Sequence, residues 1–266
     1  MKISDLRLTI IFLVIITLTV SCNNNTDQTI IDKKIEAKNF ELKQNKDNGD
    51  INWKLISSNA KYLGTEQSIT ADKPIVDFFT DSNPQYRITS KTLQIKDNGE
   101  QIIMNNNILV TQLRGQKLTI EADKLVWKTQ NNTFKLSGNV VINRYMYKPS
   151  LNPEIDLKLT TDNLSWNNNT GLIQAYTPIK GIVRPNDNLG YTKIDSESLS
   201  GNTKEGLISL IKCEVTNEKN LNSNSEVCRI YWSQSNINIG DNYIDKYKLI
   251  ELVSVNEVVR TIINID

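Results

Sequence analysis

The chain has 266 residues, 38% of them hydrophobic, and its 31 Lys and Arg against 30 Asp and Glu leave a formal net charge of +1. That length can bury a sizeable core, while the balanced charge, with aromatics that do not interleave with basic runs, removes the case for nucleic-acid binding. There is no His, no Gly-x-Ser-x-Gly and no phosphate-cradling glycine loop, so the usual triads and P-loop are absent and no catalytic residue, metal ligand or cofactor site is assigned.

At the N-terminus, Lys2 and Arg7 precede an apolar run of 13 residues, Leu8 to Val20. It is short of the roughly 20 helical residues that span a bilayer and suits the core of a signal peptide. Ser21 and Cys22 follow, then Asn23-Asn24-Asn25. This junction resembles a bacterial lipoprotein signal, in which the Cys22 thiol takes a diacylglycerol and the freed amine a third chain. At about 0.8 kcal/mol per buried methylene, two or more chains hold firmly where one would not. An uncleaved anchor and an ordinary cleaved signal are the alternatives. The expected division is a signal at 1–21, a lipid-anchored polar tether at 22–38 and one β-repeat domain at 39–266.

The first strand pair is read in "NFELKQNKDNGDINWKL", with Asp47-Asn48-Gly49-Asp50 as its turn. Farther on, "KLVWKTQNNTFKLSGNVVI" (Lys124 to Ile142) pairs Leu125 with Trp127, Phe134 with Leu136 and Val140 with Ile142 at a spacing of two, which is the strand period. Its polar turn runs from Thr129 to Asn132. A lone hairpin is marginal in water, so this one requires neighbours.

Those neighbours are copies of itself. A 23-residue window starting at Leu55, Ile88, Ile120, Leu159 or Ile194 aligns without gaps, the starts being 33, 32, 39 and 35 residues apart, in the range of stacked repeat units. Column 6 holds Ala60, Leu93, Leu125, Leu164 and Leu199; column 8 holds Tyr62, Ile95, Trp127, Trp166 and Gly201. Column 15 holds Ile69, Ile102, Phe134, Ile173 and Ile208; column 17 holds Ala71, Met104, Leu136, Ala175 and Leu210. Column 4 stacks Asp123, Asp162 and Glu197 beneath Ser58 and Lys91. Paired carboxylates can do acid–base work, but a solvated turn entry accounts for the column more simply. Pro74-Ile75 of the first copy falls on Pro178-Ile179 of the fourth.

Between the third and fourth copies, the insertion Arg144 to Asp156, with Tyr145, Tyr147, Pro149 and Pro153, reads as a protruding loop. "CRIYWSQSNINIG" reads as a degraded sixth copy with Trp232 at the place of Trp127 and Trp166, and "YKLIELVSVNEVVRTIINI" suits a strand without excluding a helix. Cys213 and Cys228, 15 residues apart, are expected to pair in an exported protein, with two buried free thiols as the alternative.

Signal, tether and stacked units of the form Leu-x-Trp, polar turn, apolar-x-apolar and Gly-Asn-Val-x-Ile resemble the LptC/LptA (OstA-like) proteins of lipopolysaccharide export. "KLVWKTQNNTFKLSGNVVI" and "NLSWNNNTGLIQAYTPIKG" carry the likeness most clearly, and the form is most similar to the longer LptC of cyanobacteria. The resemblance implies an all-β fold, an open folded-over antiparallel sheet (half jelly roll, or β-taco) of about five to six strand-turn-strand repeats. It implies an apolar groove for lipid A acyl chains, lined by Leu93, Ile95, Ile102, Met104, Leu125, Trp127, Phe134, Leu136, Leu164, Trp166, Ile173, Ile208 and Leu210. It further implies a periplasmic protein at the inner membrane, one strand edge meeting the membrane ABC permease and the other an LptA-like bridge protein. Many LptC proteins keep a transmembrane helix where this chain has Cys22. An envelope scaffold or polysaccharide-binding lipoprotein is the runner-up function, and a glycan-active enzyme the third.

The anchor has a direct check. Mass spectrometry of the mature protein is expected to find an acylated N-terminal Cys22, and Cys22→Ser to leave the chain unlipidated; an unmodified chain beginning elsewhere contradicts the lipoprotein reading.

Overall fold

The computed structural model describes residues 34–64, 66–114, 118–146, 154–184, 191–217 and 222–231, with four short strands nearer the C-terminus. Residues 1–33, with the expected signal and Cys22, lie outside it, as do Tyr147, Pro149, Pro153 and Trp232. Nearly all of the described chain is strand: β1 (Lys34–Asn45), β2 (Ile51–Leu63), β3 (Ser68–Asp72), β4 (Ile75–Thr80), β5 (Asn83–Thr89), β6 (Thr92–Lys96), β7 (Gln101–Gln112), β8 (Leu118–Lys128), β9 (Thr133–Met146), β10 (Glu154–Asn167), β11 (Leu172–Ala175), β12 (Ile179–Val183), β13 (Thr192–Asn202), β14 (Leu207–Asn217), β15 (Asn222–Tyr231), β16 (Ile237–Ile239), β17 (Asn242–Ile244), β18 (Lys248–Val253) and β19 (Thr261–Ile265).

Among the described residues, 17 of these strands form one sheet in which every pairing is antiparallel, and β16 and β17 pair apart from it. The sheet is a meander. β1 pairs with β2; β2 with both β3 and β4; these with β6 and β5 in turn; and both of those with β7. From β7 the order runs through β8, β9 and β10 to β11 and β12, which lie end to end between β10 and β13, then β14, β15, β18 and β19.

The repeat is a strand that turns a corner. The ladder is interrupted at the same place in pair after pair: between Lys38–Asn59 and Phe40–Ser57 and between Ser196–Cys213 and Ser198–Ile211 with the register kept, and between Asn105–Lys124 and Ile108–Ala122 and between Asn163–Ser137 and Thr161–Val140 with the register shifted by one. The residues left out of the ladder include Asn39, Asn106, Asn107, Gly138, Asn139 and Lys212, all with positive φ. Such a kink swings the strand from one half-sheet into the other. Asn is among the few side chains that tolerate left-handed backbone, which gives part of this chain's many asparagines a structural task. Column 4, Ser58, Lys91, Asp123, Asp162 and Glu197, is the corner itself rather than a turn entry.

Just before the corner sits a serine hydroxyl, buried at Ser57, Ser90 and Ser196 and half-buried at Ser225. The Oγ atoms of Ser57, Ser90, Ser196 and Ser225 donate to the carbonyls of Asn59, Thr92, Ser198 and Val227 at 2.8, 2.9, 3.3 and 3.0 Å, tying down carbonyls that a broken ladder would otherwise leave unpaired inside the protein. Where proline occupies the corner the strand divides: β3 ends before Pro74 and β11 before Pro178, whereas β7, β9 and β14 run through. Proline has no N–H to give to a ladder.

Several sequence-based expectations shift. The strand β1 opens at Lys34, inside the expected tether, because an edge strand is held by its backbone pairing to β2 and needs no apolar face. The ends of the expected loop are also strand: Arg144, Tyr145 and Met146 pair with Leu157, Ile155 and Glu154. The final segment forms β18 and β19. A sixth copy exists, but Ile208 faces Ile230 as Phe134 faces Trp166, so Ile230 and not Trp232 takes the tryptophan's place, two residues earlier.

Cys213 and Cys228 are disulfide-bonded, with Cα atoms 6.1 Å apart. They lie on either side of the corner, Cys213 beside Lys212 on β14 and Cys228 in the other half-sheet on β15, so the bond ties the two halves together. Replacing both by Ala is expected to lower the free energy of unfolding by about 3 kcal/mol for a loop of this length; unchanged stability under denaturant contradicts a stapling role.

Candidate functional site

The two half-sheets turn their apolar faces to each other. One half presents Trp53, Leu55, Val76, Phe78, Ile88, Val110, Ile120 and Ile142, all buried. The other presents the thirteen side chains read as groove-lining, none more than 5% exposed. Strand pairing stacks them copy on copy: Ile69 on Ile95, Ile102 on Trp127, Phe134 on Trp166, Ile173 on Gly201. The result is one continuous apolar seam from β2 to β15. In this conformation the seam is packed shut, its faces in contact.

Away from the corner, where the halves would separate most easily, aromatic rings hold them together. Phe78 meets Trp127 and Phe134 edge-on at 4.9 and 5.3 Å, Trp53 meets Trp127 at 5.2 Å, and Tyr86 meets Trp166 at 4.9 Å. Each of these contacts joins one half-sheet to the other. Within the second half, Trp127, Phe134 and Trp166 stack in a row at 5.5 and 5.0 Å. Buried indoles need acceptors. Trp53 Nε1 donates to Gln44 Oε1 at 2.6 Å and Trp127 Nε1 to Asn132 Oδ1 at 3.1 Å.

Beside Trp166 the seam is imperfect. A crevice with about 20 Å³ of internal room, enough for roughly one water molecule, is lined by Tyr86, Val110, Gln112, Leu118 and Ile120 from one half and Trp166, Ile173 and Thr203 from the other. Burial raises the Tyr86 pKa above the ordinary phenol value, and the neighbouring Thr203 side chain partly offsets this.

The corner carboxylates do not converge on a cavity. Asp123 accepts from Asn139 Nδ2 at 2.8 Å, Glu197 pairs with Lys212 at 2.9 Å, and Asp162 is exposed. A different charged pair escaped the sequence reading. Arg144 Nε meets Asp156 Oδ1 at 3.0 Å with both side chains at most 2% exposed. Arg144 continues the inward alternation of Val140 and Ile142, and a register skip between Ile155 and Leu157 leaves Asp156 out of the ladder. The inward parity of Arg144 was visible in the sequence; its partner, beyond the insertion, was not.

At one end of the sheet, β1 pairs only with β2 among the described residues, and Ile35 on it is 58% exposed. No helix among the described residues is long and apolar enough to cross a membrane.

The family model for LptC, described as lipopolysaccharide-assembly, LptC-related, matches residues 6–134, just under half of the chain. No curated protein matches the chain. Residues 6–134 are thus similar to LptC-related proteins of lipopolysaccharide assembly, and the strand pairing continues the same repeat beyond them, Leu136 on Leu164, Ala175 on Leu199 and Leu210 on Cys228.

The buried ion pair predicts a non-additive cycle. Arg144→Met alone is expected to cost about 3–5 kcal/mol of stability because it strands a buried carboxylate, and adding Asp156→Leu to recover most of it. Additive losses under denaturant contradict a mutually compensating pair.

Proposed function

We propose, from the premise that residues 6–134 are LptC-related, that this protein shields the acyl chains of lipopolysaccharide between its half-sheets as it passes them across the periplasm. The observation that carries the reading is the unbroken apolar seam, continuous from β2 to β15 and built from columns that repeat in every copy. Moving a 12-carbon chain through water would expose apolar surface worth about 9 kcal/mol, so a continuous shield meets the physical requirement and no chemistry is needed. The protein is not an enzyme on this account.

The exposed edge at β1 supports the rest. A strand edge invites pairing with another chain, and strand addition would extend the seam from one protein into the next. In this reading one edge receives lipid from the inner-membrane ABC permease and the other hands it to an LptA-like bridge protein, while acylated Cys22 holds the chain at the inner membrane. The packed seam implies that the halves part, or that a chain enters from an end.

A photo-crosslinking residue at Ile95, Trp127, Phe134 or Ile173, all buried, is expected to capture lipopolysaccharide in cells with an active transporter, while the same probe at exposed Lys128 or Lys135 is not. Capture at both faces, or at neither with the transporter running, contradicts the conduit and favours a non-transporting envelope scaffold.

A further inference from the structure

We infer that Trp166 is the point at which the seam recognises the linkage of an acyl chain, its indole N–H donating to the ester or amide carbonyl that joins the chain to its headgroup; this rests on the lipid-shielding reading above. Three tryptophans are buried among the described residues, and the repeat makes each a control for the others. Trp127 finds its acceptor five residues on, in the turn residue Asn132. The same step from Trp166 reaches Gly171, which has no side chain to offer. The Gly171 carbonyl is itself engaged, accepting from the backbone N–H and the hydroxyl of Thr203 at 2.8 and 3.1 Å. Trp166 Nε1 is accordingly a buried donor without a partner, in a residue only 3% exposed.

Natural proteins seldom leave such a group unpaired, and each exception calls for a cause. Here the unpaired donor belongs to a residue that lines the crevice, among the apolar side chains of Val110, Leu118, Ile120 and Ile173. A mainly apolar cleft, with Gln112, Thr203 and Tyr86 as its other polar lining and Trp166 contributing an unsatisfied donor, fits a ligand that is mostly hydrocarbon with an acceptor at one end. A bare hydrocarbon leaves the N–H unpaired, and a charged group has no counter-ion among the lining residues. The carbonyl at the head of an acyl chain supplies both parts. Closure of the crevice rests on the Tyr86 ring set edge-on against Trp166, a contact that joins the half-sheets.

The test compares two lipids that differ only at that atom: a 12-carbon monoacyl glycerophosphocholine ester and its ether analogue, titrated below micelle formation into the full chain, with binding read by calorimetry and by ¹⁵N-indole NMR. The ester is expected to bind about tenfold more tightly, the worth of one good hydrogen bond, and to shift the Trp166 indole resonance, which the ether does not. Trp166→Phe, which keeps a ring but removes the donor, is expected to bring the ester down to the affinity of the ether. Equal affinities in the unmutated protein, or an ester preference that survives Trp166→Phe, overturn this inference while leaving the seam as a lipid path. Failure of both lipids to bind overturns the lipid-shielding reading itself.

Discussion

The repeat turns the same corner in copy after copy, the long strands by bending and the short ones by breaking there, and the rest of the structure depends on that constraint. A sheet that stayed flat would leave one apolar face in water. Folding it along a single line lets the sheet bury that face against itself, and the line is built residue by residue: a left-handed kink at Asn39, Asn106, Asn139 or Lys212, a serine hydroxyl taking up the polar backbone at the break, and Pro74 and Pro178 at two of the points where the strand divides. Because successive copies place the corner at the same column, the inward residues of each strand fall in line with those of the next. The seam is a consequence of that registry.

The closures differ along the seam, and their strengths order how it could open. At the Cys213–Cys228 end a covalent bond crosses the corner. In the middle, Trp53, Phe78, Trp127 and Phe134 interlock across the halves, each pair contributing about 0.5–1.5 kcal/mol beyond its buried area. Around Trp166 the aromatic closure among the described residues is the single Tyr86 contact, beside a crevice and an unpaired donor. An acyl chain that replaced protein contacts with its own would restore apolar burial as it entered, so the net cost of parting the halves is far smaller than the gross cost of breaking the contacts. The loosest segment is where that exchange is cheapest to begin.

Much of this was legible in the sequence because period-two alternation and a gapless repeat are both carried by single columns. The all-β class, the inward face and the turns at Gly49 and Asn132 follow from that. The corner was harder to see. Its residues, Ser58, Lys91, Asp123, Asp162 and Glu197, share a geometry and not a chemistry, so a column of mixed polar side chains looked like solvent-facing variation. The serine preceding it looked equally ordinary, although Ser57, Ser90 and Ser196 repeat at one column. Trp232 misled for the opposite reason: a chemically conspicuous residue suggested a register that the strand pairing of Ile230 contradicts. Arg144 and Asp156 were hidden because a charged pair is safe in a core only together, and no spacing rule links two residues on either side of an insertion.

The claim on which the account turns is that the packed half-sheets separate to admit lipid. Spin labels at Arg87 and Lys135, exposed positions on the outer faces of opposite halves, report that separation directly by pulsed electron–electron resonance in the disulfide-intact protein. The account predicts one short distance in the free protein and a second, longer population that grows as lipopolysaccharide is added. A distance distribution that stays unchanged at saturating lipid would mean that the seam is a sealed core.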